Sequence, residues 1–192
     1  MHPEHIDGAW RSGITLDVQT LESHCIGDDE QGRPLFETRR SELGELLYQF
    51  KYQSNQSALE KIIALILDHL SKVKGRFDLV VPIPPSNPTR TVTKQLAKGI
   101  AAGLGSRKSD TALSKARATD ALKTIGDPGR RKEILAGAFA ADSRQICGKV
   151  VLLVDDLYRS GATLEAATEA AYTQGGARAV YVFAVTRTRV HR

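Results

Sequence analysis

The sequence predicts an α/β fold in which a parallel β-sheet carries helices on both of its faces. Two observations favour this class. Short, continuously apolar runs such as DLVVP, VVLLV and AVYVFAV are typical of strands buried on both faces of a parallel sheet. Segments with helical periodicity alternate with these runs, as expected when each strand is joined to the next by a crossover helix. The 192 residues are enough for a single compact domain with a sizeable core.

Composition narrows the functional class. A hydrophobic content of 41% and a charged content of 26% are ordinary for a soluble globular protein, and no apolar stretch is long enough to span a membrane. The amino terminus shows no secretory signal. The two cysteines, Cys25 and Cys147, suit a reducing cytoplasm and provide neither a disulfide framework nor a zinc site, so we expect a cytoplasmic protein. The net charge of +5 favours an anionic partner, either a polyphosphorylated small molecule or nucleic acid.

The first forty residues predict an arm or hairpin that precedes the main domain. The stretch GAWRSGITLDVQTLESHCI alternates as a strand or hairpin does, and GDDEQGRP is typical of a loop. We therefore divide the chain into an N-terminal arm or hairpin at 1–40 and a domain at 41–192, within one compact unit overall.

Two amphipathic helices should follow. SELGELLYQFKY has apolar residues at i, i+3, i+4 and i+7, and Ser41 is a suitable cap. The apolar positions are Leu43, Leu46, Leu47 and Phe50. SALEKIIALILDHLSKV repeats this pattern, and Ser57 with Glu60 predicts a capping box at its start. Gly75 is predicted to end the second helix.

The first core strand is predicted within FDLVVP, because a short apolar run followed by prolines is typical of a buried parallel strand that opens into a rigid loop. The next segment, TVTKQLAKGIAAGLG, predicts a helix that ends at Gly103 or Gly105.

After a basic stretch at 114–133, the carboxyl-terminal part predicts another strand, helix and strand. GAFAA precedes the strand VVLLVDD, and ATLEAATEAAYTQGG predicts a helix whose small residues let it lie close to the sheet. Gly175 and Gly176 should end this helix, and AVYVFAV predicts the last buried strand.

The stretch VVLLVDDLYRSGAT carries the functional signal. Asp155 and Asp156 stand where a buried strand ends, and ligands of parallel sheets bind at that edge. The residues that follow enter a helix, whose N-terminal amides suit a phosphate. Gly161 allows close approach of the backbone, and Ser160 and Thr163 supply hydroxyl donors.

A sugar phosphate would match this combination, with its phosphate at the helix and its vicinal hydroxyls donating to the carboxylates. A divalent cation would offset the repulsion between the two carboxylates. The alternative interpretation is that the pair only caps the helix and accepts hydrogen bonds at the surface. The phosphate motifs GxxxxGK[ST] and GxGxxG are absent from the sequence.

The same stretch resembles the 5-phosphoribosyl-1-diphosphate (PRPP) binding signature of type I phosphoribosyltransferases, which has apolar residues, two acidic residues and a loop with hydroxyl, glycine and threonine. The match extends in order along the chain over roughly residues 43–187, and the third of the stretches named next continues into RRKEILAGAF. With LLYQFKY, FDLVVPIPP, LSKARATDALKTIG and GKVVLLVDD, the chain resembles the ComF-like, competence-associated branch of that superfamily.

The resemblance implies a role for each site residue. Asp155 and Asp156 would be the catalytic pair that holds the ribose hydroxyls and, directly or through water, Mg²⁺. The 5-phosphate would be bound by Arg159, Ser160, Gly161, Ala162 and Thr163. The diphosphate would be bound by the loop after the first core strand, at Pro84, Pro85, Ser86, Asn87 and Arg90. A flap over the site would carry Lys115, Arg117, Arg130 and Arg131.

Three features depart from the family pattern. The cysteine-rich zinc module of ComF-like proteins has no counterpart here. Arg159 stands where relatives have a hydroxyl residue or, in purine salvage, an aspartate that contacts the base, so we predict that hypoxanthine and guanine are not acceptors. The diphosphate loop lacks an internal Lys or Arg, and Arg90 just beyond it is expected to compensate.

The sequence thus predicts a Mg²⁺-dependent phosphoribosyltransferase with PRPP as donor and a nitrogenous acceptor that the sequence does not identify. The alternative is a ComF-like protein without turnover that senses PRPP, or that binds nucleic acid such as single-stranded DNA during DNA uptake. A homodimer is compatible with either. A PRPP synthetase-like fragment is disfavoured because an ATP-binding portion is missing.

Overall fold

The computed structural model describes residues 1–85, 87, 89–116 and 137–189. In chain order its elements are β1 (Glu4–His5), β2 (Ser12–Val18), β3 (Thr20–Asp28), β4 (Pro34–Arg40), α1 (Glu42–Gln53), α2 (Gln56–Leu70), a 3₁₀ turn (Ser71–Val73), β5 (Leu79–Pro82), α3 (Val92–Leu104), β6 (Arg107–Lys108), β7 (Leu113–Lys115), β8 (Phe139–Ala141), α4 (Ser143–Ile146), β9 (Val150–Tyr158), α5 (Ala162–Thr173) and β10 (Ala179–Arg187).

The central sheet has the strand order β1-β2-β10-β9-β5-β6. Its strands run parallel except for β1, which pairs antiparallel with β2 at the edge. The long strand β9 lies in the middle, where Val154 stands opposite Phe183 of β10 and Pro82 of β5. The predicted parallel sheet is therefore confirmed, and the carboxyl ends of β5, β9 and β10 meet at one edge.

Helices cover both faces of the sheet, as predicted. One face packs against α1, α2 and α3 through a core that includes Leu47, Ile62 and Ile100, which have no solvent exposure. The other face packs against α5 and the small sheet β7–β8. The buried face of α5 consists mainly of alanines that belong to the same core as the strands, and a side chain of one carbon adds little thickness between helix and sheet.

The start of α1 is confirmed, since the Ser41 side chain accepts a hydrogen bond from the Gly44 amide at 3.0 Å. Gly44 is required there because a Cβ would lie 2.0 Å from the backbone carbonyl oxygen of Gln19. The predicted capping box of α2 is wrong. Asn55 is the cap, accepting from the Ala58 amide at 3.2 Å, so Ser57 already lies inside the helix.

The ends of the helices differ in how well the sequence predicts them. The α-helical part of α2 ends at Leu70 and tightens into a 3₁₀ turn before Gly75, so the predicted end is several residues late. Gly105, with a φ of 70°, ends α3 and decides between the two candidate glycines. None of the helices in the described ranges has the length and apolarity needed to cross a membrane.

The N-terminal segment contributes to two different sheets. β1 and β2 belong to the central sheet, whereas β3 and β4 form a separate antiparallel hairpin. Most hairpin residues are exposed, including Ile26, Leu35 and Phe36. The division of the chain at residue 40 stays a prediction.

Candidate functional site

A cavity of about 750 Å³ opens at the carboxyl ends of β5 and β9. Its size is within the range of small-molecule sites. It brings together residues predicted from three separate stretches of the sequence. These are Pro84, Pro85, Asn87, Arg90, Lys115, Asp155, Asp156, Arg159, Ser160, Gly161, Ala162 and Thr163.

The backbone turn from β9 into α5 forms one wall of this cavity. Gly161 precedes the helix with a φ of 76°, and a Cβ at this position would lie 2.9 Å from the Tyr158 hydroxyl oxygen. Glycine is therefore required for both conformation and space. The first intrahelical bond runs from the Glu165 amide to the Gly161 carbonyl at 2.8 Å. The amides of Ala162, Thr163 and Leu164 come before it and are available to an anion.

The two carboxylates lie beside this turn and differ in their partners. The Lys51 ammonium, in the last turn of α1, contacts Asp156 Oδ2 at 2.5 Å. Only 15% of the Lys51 side chain and 24% of the Asp156 side chain are exposed, so the ion pair is largely shielded from water. Asp155 Oδ1 instead accepts a hydrogen bond from the Asp156 backbone amide at 2.8 Å.

These surroundings favour the neutral form of Asp155. Burial, and secondly the negative charge of Asp156, raise the pKa of Asp155 from 3.8 to about 8. β9 continues to Tyr158, so the two carboxylates lie within the last part of the strand and not at its end as predicted. They are tolerated there for two different reasons. Lys51 balances the charge of Asp156, and Asp155 avoids ionisation.

The loop after β5 is held by its own asparagine. The Asn87 side-chain oxygen accepts hydrogen bonds from the Thr89 amide at 3.0 Å and the Thr89 hydroxyl at 2.8 Å. The Asn87 backbone carbonyl accepts from the Arg90 amide at 3.0 Å. Within the described ranges, no carboxylate lies within ion-pair distance of Arg90. Ser86 lies outside the described residues.

Of the predicted flap residues, the structure describes only one. Lys115, at the end of β7, lines the cavity and is partly buried. Arg117, Arg130 and Arg131 lie outside the described residues, so their predicted role stays a prediction.

Sequence reasoning missed Lys51 as a site residue. It follows Leu43 and Leu47 at intervals of four, and both leucines are fully buried, so Lys51 continues the inward face of α1. A lysine at the end of such a face was the available signal, because a buried ammonium requires an anionic partner. Tyr158, whose ring stands over Gly161, was also missed.

Comparisons with known proteins identify the fold. No family model matches the chain, and no curated protein matches it. Among solved structures, the glutamine PRPP amidotransferase of B. subtilis, complexed with ADP and GMP, matches with a TM-score of 0.51 and 21% identity. The allosteric regulatory enzyme of purine biosynthesis matches with a TM-score of 0.47 and 18% identity. Each match covers 81% of this chain but 34% of the other, so the chain spans about a third of their length.

The likeness to the amidotransferase, together with the strand order and the helices on both faces, shows the fold class. The chain has the mixed α/β architecture of type I phosphoribosyltransferases, with a parallel central sheet flanked by helices.

Proposed function

We propose that this protein is a phosphoribosyltransferase that uses PRPP as the donor of its phosphoribosyl group. The observation that carries the proposal is the cavity in which Asp155 and Asp156 lie next to the glycine turn at the N-terminus of α5. A phosphate and a pair of vicinal hydroxyls need these two kinds of group side by side, and a ribose 5-phosphate carries both.

The cavity offers a separate contact for each end of PRPP. The amides at the start of α5 and the hydroxyls of Ser160 and Thr163 would bind the 5-phosphate. Asp156, which is paired with Lys51, would accept hydrogen bonds from the ribose hydroxyls. The loop at 84–90 and Arg90 would hold the diphosphate.

The chemistry needs little covalent participation from the protein. The C1–O bond to the diphosphate breaks and its electron pair leaves with the diphosphate. A nitrogen lone pair of the acceptor forms the new C1–N bond, and the acceptor nitrogen releases its proton. The positive charge that develops on the ribose ring would be stabilised by the nearby carboxylates.

Magnesium fits the oxygen donors of this site only together with a substrate. The described residues contain no group of three or more His, Cys, Asp or Glu side chains arranged to hold a metal ion. Mg²⁺ is commonly held by one or two carboxylates plus substrate phosphates and water. Asp155 and Asp156 would supply the carboxylates, and the bound ion would offset the charge of the diphosphate.

The acceptor is proposed to be a nitrogen nucleophile other than hypoxanthine or guanine. Arg159 is exposed at the cavity wall, and in the described ranges no carboxylate lies within ion-pair distance of it. Its guanidinium would repel a donor group of a base and attract an acceptor or an anion. Nucleotide formation from hypoxanthine or guanine would overturn this assignment.

Two finer assignments rest on the sequence resemblance. Membership of the ComF-like branch is one, and a link to DNA uptake is the other. A PRPP-binding protein without turnover would use the same cavity, so turnover is what separates it from an enzyme.

Diphosphate release from PRPP and Mg²⁺, measured with a panel of nitrogenous acceptors, tests the proposal. We expect acceptor-dependent release by the wild type and none by the Asp155→Asn/Asp156→Asn variant. Asp142→Asn is a matched control, because this carboxylate pairs with Arg144 outside the cavity. PRPP binding without release for any acceptor would favour the sensor.

A further inference from the structure

We propose that Lys51 contacts the diphosphate of PRPP and supplies the positive charge that the diphosphate loop lacks. This inference rests on the proposed function and adds a substrate contact to it. Lys51 lies on α1, a separate element from both predicted binding loops.

The position of Lys51 places its ammonium beside one of the two cavity carboxylates. The residue lines the cavity, and its Nζ lies 2.5 Å from Asp156 Oδ2. Since Asp156 is proposed to hold the ribose hydroxyls, the ammonium is already next to the sugar. With 15% of its side chain exposed, Lys51 is confined to this region and does not extend into bulk water.

Charge explains why a second partner is expected. In the ligand-free site the positive charge of Lys51 balances the negative charge of Asp156. Hydrogen bonds from ribose hydroxyls to Asp156 would satisfy part of that carboxylate. An ammonium has three donors on a flexible stem, so Lys51 can keep Asp156 and also donate to a phosphate oxygen. A diphosphate arriving within this shielded cavity would be attracted strongly.

The packing of α1 favours the diphosphate, and not the 5-phosphate, as the group that Lys51 contacts. α1 and α3 pack on the same face of the sheet, and the diphosphate loop leads directly into α3. The 5-phosphate cradle begins α5, which packs on the opposite face. Between 82 and 90 the sequence has Arg90 as its only cation. Lys51 therefore lies on the same face of the sheet as the helix that follows the proposed diphosphate loop, and the sequence of that loop has a single cation.

In the reaction, Lys51 would act on the leaving group. As the C1–O bond breaks, its electron pair adds negative charge to the departing diphosphate. Lys51 would stabilise that charge by donating a hydrogen bond, and it would keep its proton throughout. Lys51 should stabilise the transition state more than the bound substrate, because the leaving diphosphate carries more negative charge in the transition state.

Binding measurements on Lys51→Met and Lys51→Arg test this role. The probes are PRPP, inorganic diphosphate and ribose 5-phosphate, each with Mg²⁺ and each titrated calorimetrically. Lys61→Met is the matched control, because Lys61 is an exposed lysine on α2 that does not line the cavity. Thermal unfolding of every variant shows whether the variant is folded.

We expect Lys51→Met to weaken the binding of PRPP and of diphosphate by about 10- to 100-fold, the loss typical of one charge-assisted contact. The affinity for ribose 5-phosphate should change by less than about 3-fold, within the range of uncharged contacts. Lys51→Arg should recover most of the diphosphate affinity and of kcat.

Equal losses for all three ligands would overturn the inference, since Lys51 would then act only by orienting Asp156. Unchanged diphosphate affinity would overturn it as well. A wild-type protein that binds ribose 5-phosphate and diphosphate but forms no product would instead contradict the proposed function and leave the Lys51 contact intact. A wild-type protein that binds none of the ligands would overturn both.

Discussion

Two ion pairs of nearly equal length behave differently in this molecule. Lys51 and Asp156 meet at 2.5 Å at the cavity edge, and Arg39 and Glu22 meet at 2.7 Å on the hairpin. The cavity pair exposes 15% and 24% of its side chains, whereas the hairpin pair exposes 64% and 48%. The contact distance is alike, but water screens one pair and is largely excluded from the other.

The difference in screening decides what each pair can do. On the hairpin, Arg39 lowers the pKa of Glu22 through a hydrogen bond, and both groups stay charged whether or not they are paired. At the cavity edge, burial and then the negative charge of Asp156 raise the pKa of Asp155, and Lys51 forms an ion pair with Asp156. Charge at the cavity edge is therefore controlled by neighbouring groups, and perturbed ionisable groups of this kind are common at functional sites.

The largest expected effect is the loss of Asp156. Asp156→Ala removes the proposed acceptor for the ribose hydroxyls and leaves Lys51 without its ion-pair partner in a shielded site. We expect kcat/KM for PRPP to fall by about 10²- to 10³-fold, as for loss of a preorganised electrostatic contact. Glu22→Ala removes the corresponding hairpin carboxylate and should leave kcat/KM unchanged. Similar losses for both variants would remove the distinction between the two regions.

A pair of glycines sharpens the comparison. Gly161 and Gly32 both have positive φ, at 76° and 72°, but only Gly161 has an atom within reach of an added Cβ. Alanine should destabilise each site by about 1–2 kcal/mol, the cost of a left-handed conformation. Gly161→Ala should also weaken the binding of PRPP by roughly 10-fold, because the turn proposed to bind the phosphate must shift. Gly161→Ala with wild-type PRPP affinity would contradict the proposed cradle.

Two arginines test the diphosphate loop in the same way. Arg90→Ala should weaken the binding of PRPP by about 10-fold, which is the lower end of the loss expected for one charge-assisted contact. Arg33→Ala, which breaks the hairpin pair with Asp29, should have no effect on binding. Calorimetry at fixed ionic strength makes this comparison. An Arg90→Ala variant that binds PRPP as tightly as the wild type would refute the assignment of Arg90.

A pH dependence of stability is a separate expected effect, which concerns folding and not binding. The folded protein keeps a proton on Asp155 that the unfolded chain releases above its ordinary pKa of 3.8, so ionisation opposes folding. Stability contributed by this group is fully present below pH 3.8 and is lost as the pH rises to about 8. An asparagine side chain cannot ionise, so the Tm of Asp155→Asn relative to wild type should rise across this range. A difference that is constant or falling with pH would contradict the raised pKa.

The parts of the fold that follow from local patterns were predictable from the sequence. Apolar runs indicated the buried strands, and the periodicity of Leu43, Leu47 and Phe50 indicated α1 with Ser41 as its cap. The error at the start of α2 has a local cause. Asn55 and Ser57 are both good caps, and the chain uses the earlier one, which a capping-box pattern does not decide.

The candidate site was predictable only in part. Asp155, Asp156 and Gly161 lie within one continuous stretch, so their association needs no knowledge of tertiary structure. Lys51 comes from a helix about a hundred residues earlier, and only packing of α1 on the sheet brings it to Asp156. The pairing of β2 with β10, which brings an N-terminal strand into the central sheet, is equally non-local.

Calorimetric titration of the wild-type protein with PRPP and Mg²⁺, beside the Asp155→Asn/Asp156→Asn variant, is the most direct test of this account. The wild type should bind one PRPP per chain with a Kd between about 1 μM and 1 mM, the usual range for enzyme substrates. The folded variant, which keeps the side-chain shapes but loses both carboxyl groups, should show no measurable binding. No binding by the wild type, or equal binding by the two proteins, would contradict a ribose held against these carboxylates.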